Sequence, residues 1–193
     1  MGATKEMYAR LLQLNKNIVG CDWPKVASDD DFISLAERCV DTYSIGADDV
    51  VSGCSMGGMV AAEIQKIAKC KKLILIGSCL SPQSVPLHGL AIFGSCLLNE
   101  RLLALSANSF PYGMKIKSSL LSNPGFVKWS LRAFYNWKGC EVDRSNNCFA
   151  IHGRFDAVIP VWKVRPSKII NGGHLIALTH VAAVNKFINE SVA

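Results

Sequence analysis

Three side chains in this sequence have the types and placement for covalent chemistry: Ser55, Asp156 and His174. Ser55 lies in "DVVSGCSMGGMV" (49–60), between an apolar run and a helix-like run. Gly53, Ser55 and Gly57 satisfy G-x-S-x-G, with Gly58 following. A sharp strand-to-helix turn of this kind forces the serine into a strained backbone, so that its oxygen projects from the sheet. Strand and helix then run so close that side chains two positions before and two after the serine would clash, which predicts the need for Gly53 and Gly57. The helix start would aim backbone N–H groups, Met56 first, at a developing oxyanion. The same five residues also read as a small-residue turn without chemistry. Cys54 is the rival nucleophile, but a cysteine elbow would want glycines at 52 and 56, which are Ser52 and Met56.

A serine nucleophile needs a base, and the base needs an orienting acid. "IHGRFDAVIP" places Asp156 just past a predicted strand, and "INGGHLIAL" places His174 just past the last one, after Gly172 and Gly173. All three residues thus stand at carboxyl ends of predicted parallel strands, where open α/β sheets build their sites. A lone loop aspartate is ordinarily a solvated surface residue. The remaining histidines read differently. His152 ends its strand and reads as packed or hydrogen-bonded, His180 falls within the last predicted helix, and His88 opens the middle region.

The elements that must position these residues are legible from periodicity. Residues 5–14 have a helical stripe of Met7, Leu11 and Leu14 with Tyr8 and Leu12. "NIVGCD" (17–22) is a short β-prone run. "SDDDF" supplies a cap and acidic first turn for a helix at about 31–44. A strand at 49–53 leads into a helix at 56–69, whose stripe is Met59, Val60, Ile64 and Ile67. "KLILIGS" (72–78) is apolar throughout, as in a strand buried on both faces of a parallel sheet. Strand signals return at 148–153 and 167–172, with a helix expected between them, and an amphipathic helix covers about 175–190. Between them, residues 80–145 carry helix-like stretches around 89–106 and 125–138. The expected fold is α/β: an open, mostly parallel sheet with helices on both faces and a helical insertion.

Composition bounds the rest. The chain has 193 residues and a formal net charge of +6, enough for one domain with a real core. No apolar run reaches the roughly 18 residues of a membrane span, and "MGATKEMYAR" has no signal-peptide features. Eight cysteines without C-x-x-C spacing, and only four histidines, argue for reduced thiols in a cytoplasmic protein and against a disulfide framework, a zinc site or any metal. No dense Lys/Arg run is interleaved with aromatics, so nucleic acid is not expected as a partner. "GCSMGG" lacks G-x-G-x-x-G spacing and a P-loop lysine, which argues against nucleotide binding. No cofactor is expected.

With these residues in view, the chain resembles the α/β-hydrolases. "GCSMGG", "HGRFDAVIP" and "GGH" match that family's nucleophile elbow, acid loop and histidine loop. The likeness covers 5–79 and 147–193. It implies a core of residues 1–79 and 147–193 with a helical cap or lid at 80–146. It also implies Ser55 as nucleophile, His174 as general base and Asp156 as orienting acid. Some members carry the acid after the preceding strand, but here that loop reads "GSCLSPQ" without a carboxylate. One departure stands out. The family has a strand before the first helix, whose following loop donates the second oxyanion N–H. "MGATKEMYARLL" reads like the tail of that loop, with Gly2 and Ala3 as its donors and nothing upstream. The expectation is therefore an N-terminally short core, with Met1 an internal methionine of a longer frame. One oxyanion donor is worth roughly 2.7–4 kcal/mol.

Two functions of different class follow from the resemblance. One is a serine hydrolase cleaving an ester, thioester or amide of a small hydrophobic acyl substrate through an acyl-enzyme; carbon–carbon hydrolysis and perhydrolysis use the same triad. The apolar "GLAIFGSCLL" and Trp129, Phe134, Tyr135 and Trp137 would line its lid, or simply pack it onto the core. Arg101, Lys115, Lys117, Lys128, Arg132, Lys138 and Arg144 outnumber the acids there, fitting an anionic substrate tail or a solvated face. The other is a weak or inactive hydrolase-fold binding protein that lacks part of its oxyanion hole. The oligomeric state is not legible.

Overall fold

The computed structural model describes residues 4–86, 124–143 and 147–193. A 3₁₀ turn, Lys5–Tyr8, leads into α1 (Ala9–Leu14), followed by α2 (Phe32–Tyr43), β1 (Val50–Cys54), α3 (Met56–Ala68) and β2 (Lys72–Ile76). Next come α4 (Pro124–Asn136), β3 (Cys148–Gly153), β4 (Lys168–Ile170), α5 (Ile176–Thr179) and α6 (Val181–Val192). The four strands form one parallel sheet in the order β1-β2-β3-β4. The expected helices at 89–106 and the residues His88, Gly2 and Ala3 lie outside the described residues.

Strand periodicity explains why helices cover both faces. Successive side chains point to opposite sides of a sheet. Leu73 and Leu75 of β2, with Val51, Cys148 and Ala150, face one cluster that contains Phe32, Leu35, Val60, Trp129 and Trp137 of α2, α3, α4 and the turn after it. Ile74 and Ile76, with Ile151, face a second cluster that contains Leu11, Ile176, Val184 and Phe187 of α1, α5 and α6. The uninterrupted apolar run of β2 is thus the central strand serving two cores, and each such side chain contributes roughly 1.5–3 kcal/mol.

Local chemistry sets the helix ends. Asp31 caps α2: its carboxylate accepts from the Ile33 and Ser34 N–H groups at 2.9 and 2.8 Å, and Ser34 Oγ accepts from the Asp31 N–H at 2.9 Å. This reciprocal box satisfies donors that the first helical turn leaves open. Helix α4 is fastened to α2 and α3 by polar pins inside apolar packing. The Trp129 indole N–H donates to the Asp30 carbonyl, and that of Trp137 to the buried Glu63 carboxylate, both at 2.7 Å. These two tryptophans therefore serve packing, as does Phe134 in part, whereas Tyr135 is exposed. Among the described residues no helix is long and apolar enough to cross a membrane.

Four expectations need correction. Residues 17–22 form no strand. Side chains occupy that segment's backbone groups: Asn15 Oδ1 accepts from the Asn17 N–H, and the Tyr43 hydroxyl donates to the Asp22 carbonyl. Val19 is 82% exposed, so no apolar face drives the segment onto the sheet. The helix expected between β3 and β4 is only a 3₁₀ turn, Val161–Lys163, bracketed by Pro160 and Pro166; a residue before proline is disfavoured in the helical region. The final helix is two, broken at His180. There Thr179 Oγ1 bonds the Leu175 carbonyl and the His180 ring, and such local bonds compete with the helix ladder. Leu14 and Ile67 fall outside their stripes and are 58% and 37% exposed.

Candidate active site

The elbow forms at the junction of β1 and α3. Ser55 has φ 53° and ψ −126°, a conformation L-residues avoid, at a cost of order 1–3 kcal/mol. Its backbone is held from three sides. The Ser55 N–H donates to the Ile76 carbonyl at 3.1 Å, and its carbonyl accepts from the Gly58 N–H at 2.9 Å and from Ser78 Oγ at 2.6 Å. Ser78 is itself buried, on the loop after β2.

Glycine is needed at two positions, and one differs from expectation. A Cβ on Gly53 would lie 2.1 Å from the Gly57 carbonyl oxygen, and one on Gly58 would lie 2.4 Å from Ser78 Oγ. A Cβ on Gly57 would meet only Trp23, at 3.8 Å. The clash anticipated at Gly57 falls one residue later, because the helix turns Gly57 outward and Gly58 onto β2. Gly53→Ala and Gly58→Ala should therefore destabilise the protein by about 3 kcal/mol or more. Gly57→Ala should be neutral or stabilising by up to about 1 kcal/mol, as alanine favours a helix interior. Urea unfolding of the three variants checks this, and equal losses at 57 and 58 would refute it.

Ser55, His174 and Asp156 converge, although Ser55 and His174 are 119 positions apart. Ser55 Oγ is 2.8 Å from His174 Nε2, and His174 Nδ1 is 2.8 Å from Asp156 Oδ2. The loops bearing acid and histidine are tied together: the Phe155 N–H donates to the Gly172 carbonyl at 2.9 Å, and the Arg154 N–H to the Ile170 carbonyl at 2.8 Å. Gly153 permits that approach, since a Cβ there would sit 2.3 Å from the Gly173 carbonyl oxygen.

Asp156 is 3% exposed and fully engaged. Oδ1 accepts from the Val158 and Ile159 N–H groups at 2.9 and 2.8 Å. Oδ2 faces His174 and also His152 Nε2, at 3.0 Å. Burial pushes its carboxyl up, but the hydrogen bonds from His152 and His174, the His174 charge and the Ile159 N–H outweigh it, holding the group well below the usual carboxylate range. It is an anion at neutral pH. His152, expected from the sequence to be packed or hydrogen-bonded, is both: it is buried and bonded to the Ile159 carbonyl.

Cys54 is no competitor for Ser55. It packs toward the second cluster, and its thiol is pushed up to about 12, chiefly by burial, so almost no thiolate exists at neutral pH. Met56 occupies the first position of α3, where a backbone N–H has no acceptor within its own helix. His180 lies at the break before α6, bonded to Thr179. A cleft of about 350 Å³ lined by Arg10, Leu14, Thr179 and His180 contains none of the three site residues. Among the described residues no cluster of three or more His, Cys, Asp or Glu side chains could hold a metal ion, and Cys21, Cys39, Cys54, Cys70, Cys79, Cys140 and Cys148 form no disulfide with one another.

Solved structures share this architecture. The N-acyl homoserine lactonase AidH complexed with N-butanoyl homoserine aligns over 98% of this chain and 86% of its own, with a TM-score of 0.74 at 17% identity. A thermophilic esterase from Thermogutta terrifontis aligns over 98% and 85%, with a TM-score of 0.66 at 16% identity. An esterase from Exiguobacterium antarcticum aligns over 99% and 88%, with a TM-score of 0.68 at 14% identity. No protein-family model matches the sequence, and no curated protein matches it. The parallel sheet with helices on both faces and these neighbours define an α/β-hydrolase fold.

Proposed function

We propose that the chain is a serine hydrolase that cleaves an ester or thioester of a small hydrophobic molecule through an acyl-enzyme on Ser55. The observation that carries this reading is the continuous relay from Ser55 Oγ to His174 to the Asp156 carboxylate, each link 2.8 Å long. Asp156, an anion, accepts the Nδ1 proton of His174, which leaves Nε2 as a lone pair facing Ser55. In this mechanism His174 takes the serine proton as Ser55 Oγ attacks the acyl carbonyl, then returns it to the leaving group. Water repeats the cycle to release the acid. The Met56 N–H at the start of α3 is the proposed donor to the oxyanion, with Gly2 or Ala3 as the second. Esterases and a lactonase among the fold's neighbours support ester chemistry.

We further propose that 80–146 acts as a lid over an apolar acyl site. Helix α4, within that stretch, is pinned beside α2 and α3 by Trp129 and Trp137. A series of p-nitrophenyl esters of rising acyl length tests both ideas in stopped flow. The expected record is a burst of about one nitrophenolate per chain, followed by a slower steady rate. Replacing 89–120 with a short linker should flatten the chain-length preference. Absence of any burst or turnover across the series would favour the alternative of a hydrolase-fold binding protein.

A further inference from the structure

We propose that His152 is a positioning residue that tempers the Asp156–His174 pair, donating a second N–H to the carboxylate oxygen that orients the base. The proposal rests on the reading of His174 as general base. Its geometric ground is that two imidazoles converge on one oxygen. Asp156 Oδ2 lies 2.8 Å from His174 Nδ1 and 3.0 Å from His152 Nε2.

The proton on His152 can be placed without ambiguity. Nε2 is also 2.7 Å from the Ile159 carbonyl oxygen, which can only accept. Nε2 therefore carries the proton and donates it to Ile159, with Asp156 Oδ2 at 3.0 Å from the same nitrogen. Nδ1 of the same ring is buried and meets no hydrogen-bond partner among the described residues. A bare lone pair there is tolerable, whereas an N–H would be a buried donor with nowhere to go. His152, at 1% exposure, is thus held as a donor through Nε2. It cannot replace His174 as base, because it faces the carboxylate and not Ser55.

The consequence is electrostatic. A carboxylate oxygen that already accepts a hydrogen bond offers less negative charge to a second partner. With His152 in place, Asp156 stabilises the His174 imidazolium less than an otherwise equal lone carboxylate would. The shared oxygen stands 2.8 Å from one ring and 3.0 Å from the other. The other ionisable group that feels Asp156 is Cys79, on the loop after β2. Burial, chiefly, pushes its thiol up to about 12, so it adds no charge near neutral pH. Ser55 faces His174 from the elbow and is uncharged.

The test is a nitrogen-15 NMR titration of the His174 ring in full-length Ser55→Ala protein, compared with the same protein carrying His152→Met or His152→Gln. Methionine fills the space without an N–H. Glutamine places an N–H near the position of Nε2. The expected result is an upward move of the His174 midpoint by about half a pH unit or more with methionine, and its recovery with glutamine. Unchanged midpoints in both, or equal shifts in both, would overturn the proposal. Should the methionine variant not fold, the tautomer of His152 in the Ser55→Ala parent decides: Nε2–H with Nδ1 bare supports it, and an Nδ1–H form refutes it. No turnover enters the measurement, so failure of the hydrolase reading and failure of this proposal are seen separately.

Discussion

Ser55→Ala protein should lose turnover of any ester substrate by about 10⁶-fold in kcat while unfolding at nearly the parent's urea midpoint. The two halves of this result come from different parts of the structure. The loss is chemical, because among the described residues Ser55 is the side chain that meets His174 Nε2; Cys54 faces the second core with its thiol pushed up to about 12. The retained stability is geometric. Alanine keeps the same Cβ and suffers the same left-handed φ of 53°, and the bonds that hold the elbow run to the backbone of residue 55, not to its hydroxyl. Ser55→Gly sharpens the point. It should be equally inactive yet more stable, by up to the roughly 1–3 kcal/mol that a non-glycine residue pays in such a conformation. An alanine variant with parental activity, or a glycine variant less stable than the alanine one, would contradict this account of the elbow.

Asp156→Asn should lower kcat by about 10⁴-fold, and the reason is the direction its amide must take. The Val158 and Ile159 N–H groups both point at Oδ1, so the asparagine must keep its carbonyl oxygen there. Its NH₂ group then replaces Oδ2 and faces the two imidazoles. His174 can answer only by turning Nδ1 into an acceptor, which moves its proton to Nε2 and removes the lone pair that Ser55 needs. His152 has no such freedom, because Nε2 must still donate to Ile159. A donor then faces a donor in a buried site, at about 1–3 kcal/mol. The variant should therefore be both slow and less stable than the parent, measured by steady-state kinetics and urea unfolding. An Asp156→Asn protein within tenfold of parental kcat would remove Asp156 from the proposed relay.

The sequence carried the framework of this site but not its fine structure. The strands at 72–76 and 148–153 were legible because their apolar runs serve two cores at once. The positions of Ser55, Asp156 and His174 followed from the carboxyl ends of the first, third and last strands. The run at 17–22 misled because β-propensity says nothing of competing partners, and here Asn15 and Tyr43 claim its backbone groups. The need for glycine at 58 and not 57 depends on how α3 rotates over Ser78, a contact between segments 20 residues apart. His152 was invisible as a partner of Asp156 for a related reason. Its spacing from the acid is that of one helical turn, and only the loop after β3 reveals that strand end and acid fold back on one another.

The most direct measurement is labelling of the purified protein by a fluorophosphonate, followed by peptide mass analysis. The probe requires a serine oxygen activated by a neighbouring base and bonds to it covalently. The account predicts one phosphonate per chain on the peptide containing Ser55, with labelling lost in Ser55→Ala and strongly slowed when His174 is replaced by alanine. Parent protein that remains unlabelled, or label found on any residue other than Ser55, would contradict it.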